Sequence, residues 1–302
     1  EAQMNGLRLF KQAQQLRIAA ADISEALTVE EVSLHLTALA QAIIAEVINI
    51  GWQQVVGRFG TPKSIVDSLS DKQNDFQSKG IAVIAYGKMG GNELSYGSDL
   101  DLVFLHNSPE GDVTTGLVNG EKSVPASQFY MKLAQRIMHI FNTRMSSGIL
   151  YELDMRLRPS GNSGVLVVHM NTFSQYQLED AWTWEHQALV RARIVYGNSA
   201  IEQRFNEIRQ QIISLPRALD KLKIDVNTMR EKMRSHLDKS TKGLVDLKQG
   251  KGGLVDIEFL AQYLVLANCH THAKLSRYCD NLSIFKQLAS HKILTIEDQE
   301  LL

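Results

Sequence analysis

Cysteine is scarce in this chain, with two among 302 residues. That excludes a disulfide framework as the main source of stability and points to a reducing compartment, the cytoplasm. Neither sign of charge is in excess: 32 Lys+Arg against 33 Asp+Glu leave a net charge of −1. A polybasic nucleic-acid surface is therefore not expected, although a local basic cleft stays open. No run of about 18 apolar residues is present, nor a charged-then-apolar segment at the start. We expect no membrane span and no signal peptide. Internal repeats and low-complexity segments are lacking too. So are a G-x-S-x-G elbow and a true P-loop, because GKMGG does not follow the G-x-x-x-x-G-K-[ST] order. Cys269, His270, His272 and Cys279 match no zinc spacing and read as ordinary helix-end residues. The chain starts at Glu1 rather than Met and ends at Leu302 in a helix-like stretch, so a piece of a longer protein is expected.

What is present is a chain with 44% hydrophobic residues, long enough for about two domains and a sizeable core. The first part is helical in pattern. Thr28 with Glu31 fits a capping box, and Leu36, Leu39, Ala40, Ile43, Ile44, Val47 and Ile50 recur at helical spacing until Gly57, Gly60 and Pro62. Asp71 to Gly80 is polar and reads as a linker. The middle part alternates. Strands are expected over Ile81–Tyr86, Leu100–Leu105, Ile149–Leu157 and Val165–His169, with Asn107–Val124 as loop or hairpin and a helix over Pro125–Ser147. From about Tyr196 the pattern is helical again. We expect an α+β protein in three segments: a helical lead-in over 1–76, a core over 77–200, and a helical bundle over 201–302 that is truncated at its C-terminus.

GKMGGNELSYGSDLDLVFL, Gly87 to Leu105, is the most informative stretch. A glycine-rich turn runs into a strand that carries Asp99 and Asp101. Residues i and i+2 of a strand share a face, so the two carboxylates repel unless a divalent cation sits between them. The glycine turn can bring backbone N–H groups onto phosphates. The apolar runs on both sides make these strands look buried, and buried charges need partners. The combination reads as a metal–nucleotide site of the kind nucleotidyltransferases use, against a bland reading as a solvated strand edge.

YELDMRLRP is the second signal: Glu152, Asp154, Arg156 and Arg158 alternate with Leu153, Met155 and Leu157. A strand here would have one charged and one apolar face, which is also common for a half-wet antiparallel strand. In the functional reading Asp154 is a third metal carboxylate, and Arg156 or Arg158 meets phosphate oxygens. Two further stretches stay open. Glu185, Gln187, Arg191 and Arg193 crowd WEHQALVRARIVYG, as a site or as salt-bridge decoration of a helix. Lys248, Lys251, Gly252 and Gly253 precede a helix on which Glu258 and Gln262 share a face. They form either a phosphate- or base-facing loop or a plain helix entry. The roles of Asp256 and Glu258 are not legible.

With SSGILYELDMRLRPSGNSGVLV, AWTWEHQALVRARIVYG and KGGLVDIEFLAQYLVL, the motifs resemble those of the bacterial glutamine synthetase adenylyltransferase family over nearly the whole chain. One departure is Met89, where leucine is usual, a swap that conserves volume. Members carry two related domains, one that removes AMP by phosphorolysis and one that attaches it. ELSYGSDLDL, RLRPSGNSG and WEHQALVRAR are similar to the C-terminal, attaching copy. The resemblance implies a polymerase-β-like nucleotidyltransferase core. It implies Mg²⁺ (or Mn²⁺) on Asp99, Asp101 and Asp154. Nucleotide contacts are implied at Gly87, Lys88, Gly90, Gly91, Ser98, Arg156 and Arg158. The implied reaction is AMP transfer from ATP to a tyrosine hydroxyl of glutamine synthetase, which down-regulates nitrogen assimilation, and a PII signalling protein is the implied regulator. Phosphorolytic AMP removal, or a non-catalytic nucleotide-binding module, are the alternatives.

Overall fold

The computed structural model describes residues 1–70, 79–116, 123–295 and 297–298. Its elements are α1 (Ala2–Ile23), α2 (Val29–Phe59), α3 (Lys63–Ser70), β1 (Ile81–Ala85), α4 (Gly87–Gly90), β2 (Leu100–His106), α5 (Ala126–Asn142), β3 (Leu153–Asp154), β4 (Val167–His169), α6 (Met170–Glu179), α7 (Thr183–Val190), β5 (Arg193–Tyr196), α8 (Ser199–Ile213), α9 (Leu219–Leu237), α10 (Leu254–Asn268) and α11 (Asn281–Ser290). Helix and sheet are mixed, as the α+β expectation requires. The expected linker lies outside the described residues up to position 78, as does 117–122 of the expected loop or hairpin.

The chain forms two compact units, Glu1–Ser174 with Arg193–Phe205, and Gln175–Ala192 with Asn206–Leu302. In the first, β1 pairs antiparallel with β2 on one edge and with β5 on the other. Both β3 and β4 run parallel to β2, β3 at Leu100–Asp101 and β4 at Phe104–His106. Ile81, Val83, Ala85, Leu102 and Phe104 point into a core shared with α2 and α5, while Ala82, Ile84, Val103 and Leu105 are buried on the opposite face. Burial on both faces accounts for the unbroken apolar runs.

α2 begins with the expected capping box: Glu31 N–H donates to Thr28 Oγ1 at 3.3 Å and Thr28 N–H donates to Glu31 at 2.8 Å. Gly57 does not end the helix. Gly60 does, at φ +73°, where a Cβ would come within 2.4 Å of the Gly116 carbonyl oxygen. By length and composition alone α2 could cross a bilayer, but Leu36, Ala40, Ile43, Ile44 and Val47 are buried in this core. α5 ends at Asn142, short of the expected Ser147. There the buried Arg8 guanidinium collects the carbonyls of Ile140 (2.8 Å), Thr143 (2.5 Å) and Gly148 (2.9 Å). Those bonds hold the chain after α5 in a turn rather than a further helical turn.

The expected strand over 149–157 shrinks to Leu153–Asp154. The Asp154 carboxylate accepts the Arg156 N–H at 2.9 Å, an Asx-type turn that takes the backbone out of the strand, and Pro159 follows. Arg156 and Arg158 therefore do not share a strand face with Asp154. The second unit is helical around Val190, Leu222, Val226, Ala261, Val265, Leu266, Ile284 and Phe285. Its buried Arg209 donates to the carbonyls of Leu189 (2.9 Å), Val190 and Ser276.

Candidate active site

Strand pairing assembles the site. β2 places Asp101 directly opposite Asp154 of β3, with Leu100 opposite Leu153. Leu100 N–H donates to the Glu152 carbonyl at 2.9 Å and locks that register. Asp99, Asp101 and Asp154 each offer a carboxylate oxygen, and these oxygens lie within 4.8 Å of one another. Asp99 is exposed, and the other two are half-buried. Hard oxygen donors are the ligand type that Mg²⁺ and Mn²⁺ prefer.

The glycine turn is built around the same carboxylates. Gly87 has φ +55°, and a Cβ there would stand 2.8 Å from Asp101 Oδ2. Only a residue without a side chain combines that conformation with that approach. The Tyr86 N–H donates to the Asp101 carbonyl at 2.9 Å, which ties the turn to β2. The amides of Gly90 and Gly91 are already used, donating to the carbonyls of Tyr86 and Gly87 at 3.0 Å each. They shape the turn. Lys88 Nζ donates to Ser95 Oγ at 3.3 Å, and Ser95 Oγ meets Ser98 Oγ at 2.9 Å. Lys88 and Ser98 are thus brought together through Ser95, a residue not singled out from the sequence. Its i, i+3 hydroxyl spacing with Ser98 around Tyr96–Gly97 was the available signal.

The two arginines of the second motif part company. Arg156 forks onto Asp154, with Nε at 3.0 Å from Oδ1 and 2.8 Å from Oδ2, and Nη2 on Oδ2. This bonding holds the Asp154 carboxyl below its usual range and raises the Arg156 guanidinium above its own. Arg158 is buried and donates to the carbonyls of Met155 (2.7 Å), Asn162 (3.3 Å) and Gly164 (3.3 Å). It braces the 155–164 loop. A cavity of about 420 Å³ is lined by Asp99, Glu152, Asp154, Arg156, Arg158 and Asn162. A larger one, about 840 Å³, surrounds His106 and His169 at the other end of β2 and lacks the carboxylate trio. Chemistry, not size, selects the first.

The third motif divides. Arg193 starts β5 and donates to the Met89 carbonyl at 3.3 Å and to Gln41 at 3.4 Å, bracing the glycine turn from behind. In the second unit, Glu185 accepts from Trp182 N–H and Tyr176 OH at 2.9 Å each, and Arg191 pairs with Glu258 at 2.8 Å. Gln187 donates to Gln262 at 3.3 Å. In the fourth motif the amides of Lys248 and Gln249 donate to Asp246 at 2.9 Å each, and that of Gly252 to Asp256 at 2.7 Å. Asp256 also binds Arg230 at 2.5 Å and Arg234 at 2.9 Å. These loop amides serve the chain's own carboxylates.

A carboxylate pair at the start of β2, with Asp99 just before the strand and Asp101 within it, a third carboxylate opposite on β3 and a glycine turn beside them form a candidate metal-dependent centre for phosphoryl chemistry. Residues 1–208 match the family model of glutamate-ammonia ligase adenylyltransferase, and residues 221–302 match that of GlnD PII-uridylyltransferase. A bifunctional glutamine synthetase adenylyltransferase/adenylyl-removing enzyme of Shewanella oneidensis is 51% identical over 296 residues, 98% of this chain and 30% of that protein. The chain belongs to the glutamate-ammonia ligase adenylyltransferase family. It spans 30% of the length of that curated relative.

Proposed function

We propose that this chain transfers AMP from ATP to a tyrosine hydroxyl of glutamine synthetase and releases pyrophosphate. In this reading residues 77–200 carry a polymerase-β-like nucleotidyltransferase core. The observation that supports it above all is the convergence of Asp99, Asp101 and Asp154 within 4.8 Å beside the Gly87 turn. Family membership and the relative's name support the acceptor. The match of residues 221–302 to a PII-uridylyltransferase family supports a PII protein as regulator of the longer protein.

The tyrosine oxygen forms a bond to the α-phosphorus, and the bond from that phosphorus to the bridging oxygen breaks. A tyrosine hydroxyl with a pKa of about 10 is a weak nucleophile at neutral pH. Mg²⁺ or Mn²⁺ on Asp99, Asp101 and Asp154, when bound, supplies Lewis-acid stabilisation of the phosphate charge and lowers that pKa. The Asp154 carboxylate receives the proton. Lys88 is steadied through Ser95 and Ser98 and offers its ammonium to the triphosphate. Gly87, Gly90 and Gly91 let the backbone come close. Arg156, whose side chain is 74% exposed, reaches phosphate oxygens, and Arg158 keeps the loop that carries it in place.

The second reading, phosphorolytic removal of AMP, uses the same carboxylates and is favoured by the adenylyl-removing half of the relative's name. Direction then depends on which form of the acceptor docks. The test is to incubate the chain with labelled ATP, Mg²⁺ and unmodified glutamine synthetase, and separately with AMP-modified glutamine synthetase and phosphate. Label incorporation should exceed ADP release. Faster ADP release would assign the chain to the removing reaction, and a lack of turnover in both would leave a binding module.

A further inference from the structure

We propose that Arg156 is a counter-ion that competes with a divalent cation for Asp154 and swings onto the nucleotide when displaced. The proposal deepens the adenylyl-transfer reading and rests on it. Both Asp154 oxygens accept from the Arg156 fork, and Oδ1 also accepts the Arg156 N–H at 2.9 Å. A carboxylate oxygen that accepts a guanidinium fork has its lone pairs filled, so it cannot also ligate a metal with full strength. Yet one of these two oxygens lies within 4.8 Å of a carboxylate oxygen from each of Asp99 and Asp101.

The two partners differ in their freedom to move. The Asp154 side chain is 15% exposed and sits on β3, in register with Asp101 of β2, whereas the Arg156 side chain is 74% exposed. Its backbone is held by the loop that Arg158 braces from inside. The guanidinium can therefore leave without disturbing its own anchor. Asp99 and Asp101 also favour its charge, so it balances all three carboxylates. An arriving cation takes over that task. The freed guanidinium stays in the same cavity, matched in fork and charge to phosphate oxygens.

The test is direct Mn²⁺ binding to the nucleotide-free chain, followed by electron paramagnetic resonance of the free ion, for wild type, Arg156→Gln, Arg156→Lys and Asp154→Asn. Arg156→Gln should bind Mn²⁺ about five-fold more tightly, which is about 1 kcal/mol. Arg156→Lys keeps the charge but loses the fork, and should gain a smaller part of that. Affinity for Mn²⁺ with a non-hydrolysable ATP analogue should move the other way, falling about five-fold or more in Arg156→Gln. Unchanged or weaker Mn²⁺ binding in Arg156→Gln would overturn the competition. An Arg156→Lys variant indistinguishable from wild type would reduce the effect to plain charge repulsion and overturn it too. If Asp154→Asn binds Mn²⁺ as wild type does, the three-carboxylate reading itself fails, a separate result.

Discussion

Gly87→Ala offers the sharpest probe of the candidate site, because its two consequences can be worked out separately. The added Cβ meets Asp101 Oδ2 at 2.8 Å, and ordinary contact starts near 3.4 Å, so the carboxylate or the turn must yield by about 0.6 Å. The backbone at φ +55° costs an alanine about 1–2 kcal/mol. Stability of the first unit should fall by roughly that amount, because the Tyr86–Asp101 bond and the buried β1–β2 pairing stay in place. Catalysis should suffer more. A misplacement on the order of 1 Å in a catalytic group costs roughly 100-fold, so about 0.6 Å predicts a 10- to 100-fold slower transfer with weakened Mn²⁺ binding. Denaturant unfolding, Mn²⁺ titration and labelled AMP incorporation are measured on the same preparation. Gly97→Ala is the control: it lies two residues before Asp99, and its Cβ would meet nothing within 4 Å. A Gly87→Ala protein that binds Mn²⁺ and transfers AMP like wild type would refute the argument. Equal losses in both variants would show that the segment tolerates no alanine, for reasons unrelated to Asp101.

Asp154→Asn should slow AMP transfer far more than it weakens ATP binding, since Asp99 and Asp101 remain to hold the triphosphate's cation; a normal rate at saturating ATP with poor ATP affinity would place Asp154 outside the cluster. A pH test concerns His106, which is buried, stacked on Tyr130 at 5.1 Å and edge-on to His169 at 5.1 Å. Burial, and then His169, push its pKa down from 6.5 to about 4. Between those values the unfolded chain binds the extra proton, so stability should fall as pH drops from about 6.5 to about 4, by up to about 3 kcal/mol. His106→Gln should flatten that part of the unfolding-versus-pH curve, and an unchanged slope would remove His106 as its cause.

Local spacing carried much of this protein in its sequence. Thr28 and Glu31 fit a capping box because its bonds span three residues, and α2 forms it. The apolar runs of β1 and β2 marked strands buried on both faces, since strand periodicity is a property of neighbours, and the closely spaced Asp99 and Asp101 marked a candidate site, although β2 begins only at Leu100, after Asp99. The resemblance of four long motifs to one family rested on wording alone, and the family comparisons agree with it. What lay beyond the sequence depended on partners far along the chain. Spacing cannot say that β3 runs parallel to β2 in the register that sets Asp154 opposite Asp101, because backbone pairing between distant segments is set by packing. Nor can alternation reveal that an Asx turn at Asp154 ends the strand, folds Arg156 back onto that carboxylate and buries Arg158 among loop carbonyls. The glycine turn divides the same way. Its glycines were legible as a flexible approach, but only the fold assigns Gly87 to make room for Asp101 while Gly90 and Gly91 spend their amides on the turn itself.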